Sequence, residues 1–266
     1  MSLKKSVDDH LAKSAILIAC MLAFSPEASA IPAGWTINGN GGTLGPNGVV
    51  TAAPSPYGPD YNYITTNGGA IGTGGLSGVG GTNGSTLTSS LFSATAGAAL
   101  EYNFNYVTSD GAGFADYAWA RLLAADGITQ VALLFTARTK PSGDIVPGFG
   151  LPATTPGVIL SPASTAIIPG GPGWSPLGSS SGACYAAGCG YTGWINSSFS
   201  IPSAGNYYVQ FGVTNWGDTA FNTGLAISGA TIGGTTIDDL PEPASLALFG
   251  IGLAGLLANR RRKNLA

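Results

Sequence analysis

Leu100, Tyr102, Phe104 and Tyr106 alternate with Glu101, Asn103 and Asn105. This is the period-two pattern of a strand with one face on a core and the other toward water. Tyr207, Val209, Phe211 and Val213 repeat it against Tyr208, Gln210 and Gly212. Residues 115–124 (ADYAWARLLA) and 128–136 (ITQVALLFT) flank Ala125-Asp126-Gly127, and Asp-Gly between apolar runs is a hairpin signal. Residues 192–200 (TGWINSSFS) and 223–232 (TGLAISGATI) supply two further strands. Tyr, Phe, Val and Thr dominate these segments and no convincing amphipathic helix lies between them. The expected fold is therefore all-β: an antiparallel β-sandwich, jelly-roll-like, with Gly/Pro-rich loops.

Two stretches break the pattern. Residues 66–84 hold nine Gly in 19 positions, which reads first as a flexible loop and next as a glycine-rich hairpin tip. Residues 141–176 hold eight Pro in 36, a long excursion after the hairpin; loops of that length are usually functional or disordered. The chain of 266 residues is 44% hydrophobic, enough for one sizeable core despite its 42 Gly and 17 Pro.

Only 9% of residues are charged, and seven of the ten Lys and Arg sit at the two ends. Residues 31–240 carry nine acids against Arg121, Arg138 and Lys140. Nucleic-acid binding requires a basic stripe to displace counterions from phosphate, so that class is excluded.

The ends read as addresses. Lys4, Lys5 and Lys13 precede an 11-residue apolar run, Ser14–Phe24, and Ala28-Ser29-Ala30 offers a small-x-small cleavage site. Residues 1–30 are expected to be a secretory signal peptide cleaved by a signal peptidase before Ile31. Leu17-Ile18-Ala19-Cys20 is also a lipobox-like sequence, which would instead leave a lipidated Cys20. At the other end, Pro241-Glu242-Pro243 precedes 15 uncharged residues, Ala244–Ala258, and then Arg260, Arg261, Arg262 and Lys263. A helix of that apolar length is ~22 Å long, marginal for a bilayer, and the basic stop would stay cytoplasmic.

This order of motif, apolar helix and basic tail resembles the PEP-CTERM sorting signal of Gram-negative bacteria. The resemblance covers residues 241–266 and implies three things. The chain is held in the inner membrane until an exosortase removes the tail; the mature protein is released to the cell surface or extracellular matrix; and its setting is exopolysaccharide or biofilm. The segment from Thr192 to Ile227 is also similar to the closing strands of β-sandwich domains found among exported proteins of that class. Phe114-Ala115-Asp116-Tyr117-Ala118 corresponds to their upstream strand, and Ser228 stands where a terminal Asp is common.

Between the addresses the chemical inventory is short. His10 is the only histidine and lies in residues 1–30, and no HExxH or GxxxxGK motif occurs. Ser-His-Asp catalysis and His-ligated zinc are thereby removed for residues 31–240, leaving a carboxylate pair for glycan hydrolysis or lysis. Cys184 and Cys189, in CYAAGC, are expected to form a small-loop disulfide in an oxidising compartment. Asp110 and Asp116 bracket the loop SDGAGFAD, and Asn215 and Asp218 bracket NWGD. Such residues routinely cap turns; if the strands are neighbours, their oxygens could instead converge on calcium, the one cofactor the residues leave room for. Trp174, Trp194 and Trp216 are candidates for stacking on a sugar ring, whereas Trp119, in mid-strand, reads as core.

The sequence thus predicts three segments: the signal peptide at 1–30, a sandwich at 31–240 and a sorting signal at 241–266. It points to an exported, non-enzymatic structural or adhesive module. A carbohydrate-binding module, calcium-assisted, is the alternative, and a carboxylate-based hydrolase or lyase the third reading.

Overall fold

The computed structural model describes residues 31–239. Eight strands form its frame: β1 (Tyr61–Thr65), β2 (Asn83–Thr88), β3 (Ala99–Thr108), β4 (Tyr117–Ala124), β5 (Gln130–Arg138), β6 (Ile195–Ser200), β7 (Gly205–Thr214) and β8 (Thr223–Ile232). They make two antiparallel sheets, one ordered β2–β7–β4–β5 and the other β6–β3–β8–β1. Six strands fall on the predicted segments. The strand orders are those of a jelly roll, with the chain crossing between sheets at every step except the β4–β5 hairpin. Short strands extend the edges: Thr36–Asn38 on β2, Asn40–Leu44 on β1 and Ile159–Ser161 on β6.

The predicted inward rows meet between the sheets. Tyr102, Phe104, Leu225 and Ile227 from one sheet face Ala120, Leu122, Val209 and Phe211 from the other in one buried cluster. Phe104 lies parallel to Phe135 with ring centroids 3.8 Å apart, and Tyr102 meets Phe211 edge-on at 5.0 Å.

The outward faces depart from the expectation of half-exposed strands. Asn103 and Asn105 of β3 are buried rather than solvated. The reason is that both irregular stretches fold back over the sheets. The proline-rich excursion lays Trp174 and Leu177 on Val107, Ala226 and Tyr61, and Thr192 Oγ1 donates to Asn105 Oδ1 at 3.3 Å. The glycine-rich stretch lays Leu76 on Tyr117, Trp119 and Leu133, where Trp119 Nε1 donates to the Gly74 carbonyl at 2.7 Å. It is an ordered cover, and glycine is required there because backbone meets backbone. A Cβ on Gly74, whose φ is +79°, would drive into the Val213 carbonyl oxygen.

Candidate functional site

The jelly roll divides its connections between two ends. At one end are three, at 89–98, 125–129 and 201–204. At the other end four loops gather: 66–82, 109–116, 139–194 and 215–222. They are tied together by backbone hydrogen bonds, Thr82 N–H to Asn215 O (2.9 Å), Ser109 N–H to Asn222 O (3.1 Å) and Tyr185 N–H to Ser109 O (2.9 Å). Asp110, Asp116, Asn215, Trp216, Asp218 and the Cys184–Cys189 disulfide all lie at this end. The disulfide, with Cα atoms 5.6 Å apart, fixes a loop that also receives Ala112 N–H on the Ala187 carbonyl at 3.0 Å.

Here the inward rows change from apolar to polar. Register places Thr214 opposite both Gly84 and Tyr117, so the next inward positions on the first sheet are Asn83, Asn215 and Asp116, side by side. Thr223 pairs Thr108 on the facing sheet. Asp116 is fully buried: its Oδ2 accepts from Thr223 Oγ1 at 2.6 Å and its Oδ1 from Trp216 N–H at 2.8 Å. Thr108 and Thr223 hydroxyls are 2.7 Å apart, and Asp110 N–H donates to Thr108 Oγ1 at 3.1 Å. A continuous polar chain therefore runs from Asp110 across the sheets to Asp116.

The electrostatics of this chain are unfavourable to its charges. Burial pushes the Asp110 carboxyl up to about 7, with a smaller contribution from Asp218; the Gly111 N–H, donating to Oδ1 at 2.6 Å, opposes it. Asp116 is raised well above the usual carboxylate range, first by burial and then by Asp110 and Asp218. In both cases the opposing effect is hydrogen bonding rather than a basic neighbour. Asp218, partly exposed, turns Oδ1 to Ala220 N–H at 3.1 Å. Among the described residues no three His, Cys, Asp or Glu side chains stand close enough to hold a metal by themselves.

Outside the polar row the same end carries aromatics. Tyr185 is 49% exposed, within 5.7 Å of Phe114 and 5.0 Å of Phe221 between ring centroids. Phe221 is the one non-glycine residue with positive φ among the described residues, at 51°. That is a strained conformation for a bulky side chain, of a kind that gathers at ligand clamps. Trp216 is 37% exposed, with the Arg138 guanidinium 4.8 Å from its ring centroid.

The tryptophans separate. Trp216 stands at the loop end. Trp194 lies elsewhere, against Tyr61 on the outer side of the second sheet, its Nε1 donating to Thr51 O at 3.3 Å. Trp174 has no exposed face: it is fully buried, and its Nε1 donates to Tyr61 Oη at 3.0 Å. The expectation that Trp174 stacks on a sugar is corrected, because the proline-rich excursion spends that ring on covering the sheet. Phe114, Tyr185 and Phe221 were not singled out by the sequence. A tyrosine inside a six-residue disulfide loop could have signalled Tyr185; nothing in the sequence marks Phe221.

The comparisons with known proteins meet the chain at its C-terminus. The family of the PEP-CTERM protein-sorting motif matches residues 239–263. The chain carries a PEP-CTERM sorting motif. The motif marks it as an exported protein, a substrate of an exosortase, sorted to the cell surface or the extracellular space. Pro241, Glu242, Pro243, the apolar segment, the basic stop Arg260–Lys263 and residues 1–30 lie outside the described residues; no helix among the described residues is long and apolar enough to cross a membrane. No curated protein matches the chain in sequence.

Solved structures similar to it include three at low identity. The first is the K1 cleaved adhesin domain of Lys-gingipain from Porphyromonas gingivalis W83 (13% identity, 76% of this chain and 94% of that chain, TM-score 0.33). The second is the enzymatically active domain of tailspike protein 4 from bacteriophage CBA120 (12%, 76% and 19%, TM-score 0.33). The third is the alginate lyase from Corynebacterium sp. (13%, 77% and 99%, TM-score 0.29).

Proposed function

We propose that the mature protein is a non-enzymatic adhesive module of the cell surface or extracellular matrix, and that its loop end contacts the exopolysaccharide of the producing cell's biofilm. The observation that carries this reading is the exposed ring of Tyr185, backed by the half-buried Phe114 and Phe221, together with exposed Trp216, on an end already crowded with carboxylate and amide groups. Aromatic faces take the C–H faces of sugar rings, and neighbouring polar groups orient hydroxyls. The sorting motif supplies the address that brings such a face to a matrix. The buried state of Asp110 and Asp116 also favours binding over hydrolysis, since a catalytic carboxylate pair must reach the glycosidic oxygen.

The test is retention of the exported protein on exopolysaccharide purified from the producing cell. Tyr185→Ala and Trp216→Ala should each weaken retention several-fold without changing thermal stability by more than about 0.5 kcal/mol, the usual range for surface positions. Undiminished retention in the double variant would remove the loop end as the binding face. Release of reducing ends that disappears with Asp116→Asn would replace the adhesive reading with the enzymatic one.

A further inference from the structure

Two buried oxygens at the loop end have no hydrogen-bond partner: Asp110 Oδ2 and Asn215 Oδ1. Their residues are 1% and 0% exposed. The orientation of Asn215 is fixed by its neighbour. Asn83 Nδ2 donates to the Thr66 carbonyl at 3.0 Å, so Asn83 Oδ1 must accept, and Asn215 Nδ2 donates to it at 3.1 Å. The Asn215 oxygen is thereby turned away from β2, on the row whose next member is Asp116. Asp110 comes from the facing sheet, joined to Asp116 through Thr108 and Thr223 and within electrostatic reach of both Asp116 and Asp218.

The result is two buried oxygen acceptors without donors, one of them a carboxylate, next to the fully paired carboxylate of Asp116. Buried acceptors left unpaired cost roughly 1–3 kcal/mol each, and more when charged. The bases do not relieve this: Arg138 gives its Nε–H to the Ala115 carbonyl at 3.0 Å and its face to Trp216, and Arg121 gives two donors to Gln210.

We propose that the loop end of the sandwich is a calcium site, with Asp110 Oδ2 and Asn215 Oδ1 among the ligands and Asp116 and Asp218 supplying the surrounding negative charge. The donors are all hard oxygens, which suits Ca²⁺ and not a thiophilic metal. Two neutral-to-anionic side-chain ligands completed by water or carbonyl oxygens give the weak affinity of extracellular modules, a Kd of about 10⁻⁴–10⁻³ M. The ion would join loops 109–116 and 215–222, which carry Phe114, Trp216 and Phe221. This proposal does not depend on what those aromatics bind.

The experiment uses the full chain, stripped with a chelator and titrated with CaCl₂ alone. At an excess of about 100-fold over Kd the folding equilibrium shifts about 100-fold, a rise in Tm of about 5–10 °C for a domain of this size. TbCl₃ provides a second reading that does not depend on stability: Trp216, whose N–H binds Asp116, should sensitise terbium emission, and CaCl₂ should quench it by competition. Asp110→Asn should abolish both signals, while Asp126→Asn, in the 125–129 hairpin at the opposite end, should keep both. Should Asp110→Asn fail to fold, Asp218→Asn replaces it, with at least a tenfold weaker terbium titration expected. The proposal is overturned if the native chain shows neither a Tm rise nor sensitised emission, or if both survive unchanged in the folded Asp variant.

Discussion

The claim that the glycine-rich stretch is a fitted cover rather than a loose loop can be tested with two alanines. Gly74 and Gly78 lie four residues apart and both have φ of +79°, so an added Cβ imposes the same left-handed backbone penalty of about 1–2 kcal/mol at each. Their surroundings differ. A Cβ on Gly78 meets nothing within 4 Å, whereas one on Gly74 enters the Val213 carbonyl and crowds Ser85 N. Overpacking against backbone adds about 1–3 kcal/mol. Displacing Gly74 also strips the buried Trp119 Nε1–H of its acceptor, at about another 1–3 kcal/mol.

Gly78→Ala should therefore cost about 1–2 kcal/mol and Gly74→Ala about 3–8. With Tm falling about 2–4 °C per kcal/mol in a domain of this size, the two melts should be separated by several degrees, with Gly74→Ala the lower. Urea unfolding gives the same difference in ΔG, and Trp119 fluorescence should shift red in Gly74→Ala alone. Equal losses in the two variants would refute the packing argument. No loss in either would show that the stretch does not cover the sheet at all.

Other perturbations sort the remaining assignments. Trp174→Ala should destabilise by about 3–5 kcal/mol, as for other buried aromatics, whereas Trp216→Ala should leave the melt nearly unchanged; calorimetry separates them. Serine at Cys184 and Cys189 should cost about 2 kcal/mol on the loop-entropy scale for so short a loop, with raised hydrogen exchange confined to residues 109–112 and 184–189. Asp126, in the β4–β5 hairpin, accepts from Thr129 Oγ1, Ile128 N–H and Thr129 N–H, and these bonds hold its carboxyl below its ordinary value of 3.8. Its contribution is present above that value and is lost as pH falls through the depressed folded one. Asp126→Asn should accordingly lower Tm at neutral pH and converge with the parent in strong acid; a constant gap down to strong acid would contradict it.

Alternation made two central strands, β3 and β7, legible, the Asp-Gly turn marked the β4–β5 hairpin, and Tyr, Phe, Val and Thr content marked β6 and β8. Alternation failed for β1 and β2. Tyr61–Thr65 is five residues with Asn62 between tyrosines, and β2 begins inside the glycine-rich stretch, where Asn83 and Gly84 look like loop. Both are strands because they add to edges supplied by β8 and β7, a non-local cause that no short window contains. The same blindness hid the covers over the outer faces. A buried Asn105 reads in sequence as a solvent position, and a covering Trp174 reads as a free ring. The polar residues fared better, since Asp110, Asp116, Asn215 and Asp218 were selected as turn-flanking groups and the topology brings them to one end. What sequence could not provide is their direction, and the unpartnered oxygens exist only as directions.

The crossing pattern explains why the chemistry is concentrated there. Each passage between sheets must bridge two layers about 10 Å apart, and here one end holds two such passages and a hairpin while the two longest insertions, 66–82 and 139–194, both fall at the other. The inward rows must also stop being apolar where the sheets open to the loops. A plug of threonines alone, as Thr108, Thr139 and Thr223 begin to form, would satisfy the backbone at little electrostatic cost. Placing Asp116 fully buried in that plug, with Asp110 beside it, raises the cost of closing this end. That cost is recovered only if something with positive charge or a proton occupies the row. A Thr plug would carry no charge to neutralise; an acidic plug leaves one that a proton or the proposed ion can neutralise, and the aromatics of Phe114, Trp216 and Phe221 are mounted on those same loops.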